Sequence, residues 1–96
     1  MVDWNDLRYF LAIARAGTLT SAARDLRVEH TTVGRRLAAL EGALGVRLFT
    51  RGPDGFALSQ AGSEILVLAE EIAARVDAIE RRVAGSDAKI EGVVRL

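Results

Sequence analysis

Residues 29 to 37 are "EHTTVGRRL". Val33 and Leu37, continued by Leu40 and Leu44, recur at i, i+4, i+7 and i+11, the spacing that gathers one apolar face on an α-helix. The rest of the stretch is poor helix material. Threonine loses rotamer freedom against the preceding turn, and Gly34 costs about 1 kcal/mol relative to alanine in a helix interior. Turning the Val33 stripe inward at about 100° per residue sends Thr31, Arg35, Ala38 and Gly42 to the opposite side, with Thr32, Gly34 and Ala39 beside them. That face is small, hydroxylated and cationic, and its composition makes sense only if something approaches it closely.

Working outward, Trp4, Leu7, Leu11 and Ala14, widened by Phe10, predict a first helix from about Asn5 to Ala16, closed by Gly17. Thr20 is the expected N-cap of a short second helix that buries Ala22 or Ala23 with Leu26. About three residues around Arg27, Val28 and Glu29 then lead into the third helix, which Gly45 ends. "VRLFT" and "FALS" flank "RGPDG", which predicts two short strands joined by a tight turn. Ser59 is placed to cap a long helix from about Gln60 to Ala84. Along it Ile65, Ala69, Ile72, Val76, Ile79 and Val83 alternate steps of four and three, a heptad seam. So long a stripe exceeds what a small domain can cover and calls for a partner helix. Gly85, Ser86 and Asp87 break the pattern, and "KIEGVVRL" resembles the approach to a strand. Trp4, Phe10 and Phe49 are expected in the core.

Ninety-six residues, half of them apolar, suffice for one small domain and one extended element. There is no cysteine and a single histidine, and no glycine-rich phosphate loop follows a strand, so neither catalysis nor a metal site is expected. The longest aliphatic run, "ILVLA" at 65 to 69, is far too short to span a bilayer, and the chain reads as soluble and cytoplasmic. A net charge of zero hides an asymmetry. Residues 1 to 51 carry eight arginines against five acids, whereas 60 to 92 carry seven acids against four basic residues. Arg35, Arg36, Arg47 and Arg51 fall close together with only Glu41 among them.

Three helices with a tight turn between the second and third, then a hairpin, make a winged helix-turn-helix. The expected class is mostly α: three helices plus a two-stranded wing, followed by a long dimerisation helix. In this geometry the third helix enters the DNA major groove with its N-terminal residues toward base edges. Threonine can bond a base or touch a thymine methyl, and Arg35 can pair in bidentate fashion with guanine. Arg36 lies at the side of that face, better placed for a phosphate.

"LRYFLAIARAGTLTSAARDLRVEHTTVGRRLAALEGALGVRLFTR" followed by "LSQAG" resembles the N-terminal DNA-binding domain of the LysR-type transcriptional regulators, over roughly residues 4 to 84. The resemblance implies a bacterial regulator with a DNA-binding domain at 1–59, a linker helix at 60–84 that pairs antiparallel with that of a second chain, and at 85–96 a hinge and the start of an effector domain. The rest of that domain, which would bind a small molecule, would lie beyond. This chain itself is expected to hold no cofactor. The family pattern assigns His30, Thr31, Thr32, Gly34 and Arg35 to bases or groove, and Thr18, Thr20 and Ser21 to phosphate. It sets Arg51 along the backbone or minor groove. A roughly palindromic site read by a homodimer is implied. The chain departs from the usual Ser, Gln and Ser of the family at Glu29, His30 and Gly34. Its wing tip, Pro53 and Asp54, lacks a basic residue. Two other readings fit the same pattern: a winged-helix module whose arginine face meets an acidic protein, and the related N-terminal domain of the molybdate-responsive regulators.

Overall fold

Asp3 opens the first helix, α1 (Trp4–Ala16), by accepting a hydrogen bond from the Asn5 N–H at 2.9 Å. The computed structural model describes the backbone of residues 2–53 and 55–94, and side chains as far as Gly85. Gly17 ends α1 at φ 84°, a left-handed conformation that a residue with a β-carbon adopts at a cost, and its N–H returns to the Ile13 carbonyl. The second helix, α2 (Leu19–Leu26), is capped by Thr18 and not by Thr20. The Thr18 oxygen accepts from the Ser21 N–H at 3.1 Å. Both threonines have the right chemistry, and packing decides between them: with Thr18 as the cap, Leu19 enters the first turn and lies against the core.

Arg27 closes α2 in the left-handed region at φ 60°. The Val28 N–H then reaches back to the Ala23 carbonyl at 3.0 Å, which turns the chain sharply into α3 (His30–Leu44). Val33, Leu37 and Leu40 are buried on α3, as the periodicity predicts, and Leu44 is half-buried. They meet Leu7, Phe10 and Ile13 of α1 and Ala22 and Ala23 of α2 in one apolar cluster. Fully burying each large side chain in it contributes about 1.5–3 kcal/mol. That burial, more than helix propensity, holds an α3 whose own composition is weak.

The wing is an antiparallel pair, β1 (Phe49–Gly52) and β2 (Gly55–Leu58), in the register Phe49 to Leu58 and Gly52 to Gly55. The strand expected from Val46 begins later. Leu48 is fully buried, and its N–H is taken by the Glu41 carboxylate at 2.8 Å, so this stretch serves as a clasp on α3 instead of extending the ladder. Asp54 lies outside the described residues. Phe49 stacks in tilted fashion between Phe10, at 5.3 Å, and Phe56, at 5.7 Å, which ties the wing to α1. The Phe56 N–H also donates to the Gly17 carbonyl at 3.0 Å. Gly55 (φ 119°) is required at this docking, because a β-carbon there would stand 2.7 Å from that same carbonyl oxygen.

The "LSQAG" stretch is the joint between wing and long helix. Ser59 caps α4 (Gln60–Val94) by accepting from the Gly62 N–H at 2.9 Å, and its hydroxyl donates to the Arg47 carbonyl at 2.6 Å. The helix does not stop at Ala84 as the sequence suggests. It continues through Gly85, Ser86 and Asp87 to Val94, across the segment expected to approach a strand. One glycine costs about 1 kcal/mol without removing a backbone donor, and no proline follows to force an end. Arg95 and Leu96, the remainder of that segment, lie outside the described residues.

Candidate nucleic-acid interface

The exposed face of α3 begins at a helix start whose cap does no capping. Glu29 is extended and makes no side-chain bond to the first turn, which leaves N–H groups there without a protein side-chain partner. His30, Thr31, Arg35 and Arg36 are exposed, and Thr32 and Gly34 are half-buried. A β-carbon at Gly34 would meet only the Leu19 side chain, at 3.7 Å, an ordinary contact. The glycine is therefore not demanded by packing inside the domain.

Three recesses run along this face. One of about 330 Å³ is bordered by Thr32, Arg35, Arg36 and Ala39. A second, about 140 Å³, lies between α3 and the wing, where Gly34 and Ala38 face Arg47 and Arg51. A third, about 300 Å³, sets Thr18 of α2 opposite Arg51, Gly52 and Gly55 of the wing. The second and third share Leu19, Arg51 and Phe56, which joins the start of α2, the Gly34 side of α3 and the wing into one surface, while the first is bordered by α3 alone. Arg51 is the hinge of this arrangement. It is exposed, yet its guanidinium carbon sits 5.4 Å from the centre of the Phe56 ring, a cation–π contact that orients it.

Two of the sequence-predicted phosphate residues have roles in the fold. Thr18 spends its hydroxyl oxygen on the cap of α2, and Ser21 contributes the N–H to that bond, while Thr20 is exposed in the first turn. Two residues not assigned to the site in the sequence also belong to this surface. Arg47 borders the recess beside Gly34; its place in the arginine cluster is the signal that could have found it. Asp6 of α1 lies 3.7 Å from Arg36, a pairing across thirty positions that no local pattern announces.

The largest recess described, about 640 Å³, lies elsewhere, between α1, the end of α2 and α4. Arg8 and Arg15 share it with Asp25, Asp77 and Glu80, so it offers no single sign of charge to an anion. Among the described residues no group of three or more histidines, cysteines or acids could hold a metal ion, and no helix is long and apolar enough to cross a membrane.

The α4 seam is divided between two surfaces. Ala69 is only 1% exposed and packs within its own domain, together with half-buried Ile65. Ile72, Ile79 and Val83 are exposed, Val76 is half-buried, and Leu68, absent from the predicted seam, is 57% exposed.

The model of bacterial regulatory helix-turn-helix proteins of the lysR family matches residues 4–63. The chain belongs to the LysR family. This LysR-family chain is 54% identical over 48 residues to the Mau operon transcriptional activator of Paracoccus denitrificans, covering 50% of the chain and 17% of that protein. It is 37% identical over 90 residues to a probable hydrogen peroxide-inducible genes activator of Mycobacterium xenopi, covering 94% of the chain and 48% of the relative. It therefore spans less than half the length of either. Among solved structures, the CbnR DNA-binding domain in complex with DNA aligns at a TM-score of 0.72 and 36% identity, over 86% of this chain and 99% of that one. The BenM DNA-binding domain with benA site 1 DNA aligns at 0.80 and 25% identity, over 86% and 96%. The winged helix-turn-helix is that of the LysR regulators.

Proposed function

We propose that the chain binds double-stranded DNA sequence-specifically as part of a homodimeric bacterial transcription regulator acting in the cytoplasm, with the start of α3 in the major groove. The observation that carries this reading is the surface in which Gly34 and Ala38 of α3 face Arg51 of the wing, which in turn faces Thr18 at the start of α2, with exposed Thr31 and Arg35 and half-buried Thr32 nearby on the same helix. Small side chains let the helix backbone approach a groove floor, and Thr31, Thr32, Arg35 and His30 supply groups that discriminate base edges. Thr20, Ser21, Arg36, Arg47 and Arg51 flank them at positions suited to phosphate, which fixes register without reading sequence. The likeness to the solved DNA complexes of CbnR and BenM supports DNA as the partner. No catalytic role is assigned; the relatives named above are regulators of transcription.

In this reading residues 1–59 are the DNA-binding unit and the helix from Gln60 is the dimerisation element. Its exposed stripe of Leu68, Ile72, Ile79 and Val83 pairs with the same stripe of a second copy, and Val76 lies at the margin. A two-fold dimer presents two copies of α3 to a roughly palindromic site. Selection of bound duplexes from a random pool tests this directly. Enrichment of a sequence with two related half-sites is expected, with an affinity whose logarithm falls by about 0.9 per log unit of salt for each phosphate neutralised. A pool that stays random, or binding only to an acidic protein, sinks the reading.

A further inference from the structure

Asp6 is the one buried acid among the described residues, 9% exposed in the first turn of α1. Its Oδ1 has no hydrogen-bond partner among protein groups. A buried carboxylate oxygen without a donor is costly unless a positive charge stands by it. The cation that does so is Arg36 of α3, whose Nη1 is 3.7 Å away. That is longer than a direct hydrogen bond, so the contact is Coulombic. Arg8, also on α1, is engaged instead with Asn5 Oδ1 at 2.8 Å.

The Arg36 side chain is 51% exposed, so one part of it turns toward Asp6 while the other borders the recess shared with Thr32 and Arg35. A planar guanidinium carries five donors in a fixed fork. One edge can face the carboxylate while the remaining donors point outward. We propose that Asp6 is the positioning residue for Arg36: from the seam between α1 and α3 it holds the guanidinium so that its free edge is presented to a DNA phosphate. The proposal rests on the DNA-binding reading and adds to it a residue that never meets DNA. Its consequence opposes simple charge counting. Removing an acid beside a phosphate-binding face should raise affinity by electrostatics alone, whereas loss of a positioning residue lowers it.

The test is a fluorescence-anisotropy titration of the whole chain against a labelled duplex recovered by the random-pool selection, over a series of salt concentrations. Wild type, Asp6→Asn, Arg36→Ala and the double variant are compared, with thermal melts of each. Asp6→Asn should bind about two- to tenfold more weakly, the ordering cost of one long side chain. Its salt slope should fall by about 0.9, one phosphate contact. In the Arg36→Ala background the same change should do nothing. Tighter binding by Asp6→Asn, or an equal loss in both backgrounds, overturns the proposal. In the free wild-type protein, 15N relaxation of the Arg36 Nε should report a side chain restrained on the ps–ns scale. Free rotation there overturns the proposal even if the variants fold poorly. Failure of wild type to bind any duplex would instead remove the DNA-binding reading, and this assignment with it.

Discussion

The backbone of Gly62 in α4 lies directly against the carbonyl oxygen of Leu48, so close that a β-carbon at position 62 has no room. Leu48 is also the residue whose N–H is held by Glu41 and whose carbonyl accepts from the Ser59 N–H at 2.9 Å. One buried leucine thus fastens α3, the wing and α4 together. At an ordinary helical site Gly→Ala stabilises by up to about 1 kcal/mol. Here Gly62→Ala should destabilise by about 1–3 kcal/mol, the usual cost of overpacking, seen as a lower midpoint in thermal melts followed by circular dichroism.

Gly34→Ala should behave in the opposite way, because its new methyl group meets only a leucine side chain at van der Waals distance. A gain of up to about 1 kcal/mol is expected from helix propensity. DNA affinity should fall in the same variant, since in the proposed reading the glycine allows close approach to a groove. If affinity is unchanged, Gly34 has no part in the interface.

Arg27 is the non-glycine residue with positive φ among the described positions. An L-residue with a β-carbon is strained there by about 1–2 kcal/mol, partly offset for glycine by its greater freedom in the unfolded chain. Arg27→Gly should therefore raise stability by about 0.5–1 kcal/mol. A drop in the melting midpoint would show that the arginine side chain makes a contribution outweighing the strain.

In the proposed reading Arg35 and Arg36 are neighbours with different tasks. Arg35→Ala should cost about 1–3 kcal/mol of discrimination at one base position, whereas Arg36→Ala should weaken binding to all sequences alike and lower the salt slope by about one. Titrations against the selected duplex and single-base variants of it separate the two. A uniform loss for both would mean that Arg35 also contacts only phosphate.

Ile79 is 62% exposed on α4. Ile79→Asp should shift the chain toward monomer in sedimentation, because a symmetric interface loses about 1.5–3 kcal/mol of burial on each side. Thermal stability of the winged domain itself should not change. A dimer that survives the substitution would have to be built on another surface.

The helices and the face that α3 buries were legible because they depend on spacing within one element: Val33, Leu37 and Leu40 declare their side of the helix without knowing what lies opposite. Harder to see were choices between locally equivalent options. Thr18 and Thr20 are both competent caps, and Leu19 packing against the core picks one. Val46 to Leu48 has strand-like composition, but Glu41 takes the Leu48 N–H. Past Ala84 the apolar pattern is interrupted by Gly85, Ser86 and Asp87, yet the backbone of α4 continues because each residue keeps its donor.

The amino-acid order alone therefore determined the element sequence, the inward stripe of α3 and the unusual composition of its outward face, since these rest on periodicity and intrinsic preference. Only the tertiary structure decided that Ala69 serves its own core while Leu68 stays exposed, that Arg47 joins the recess beside Gly34, and that Asp6 meets Arg36. Those outcomes depend on how far one helix rotates against another, and that rotation is set by the shapes of all the side chains packed between them.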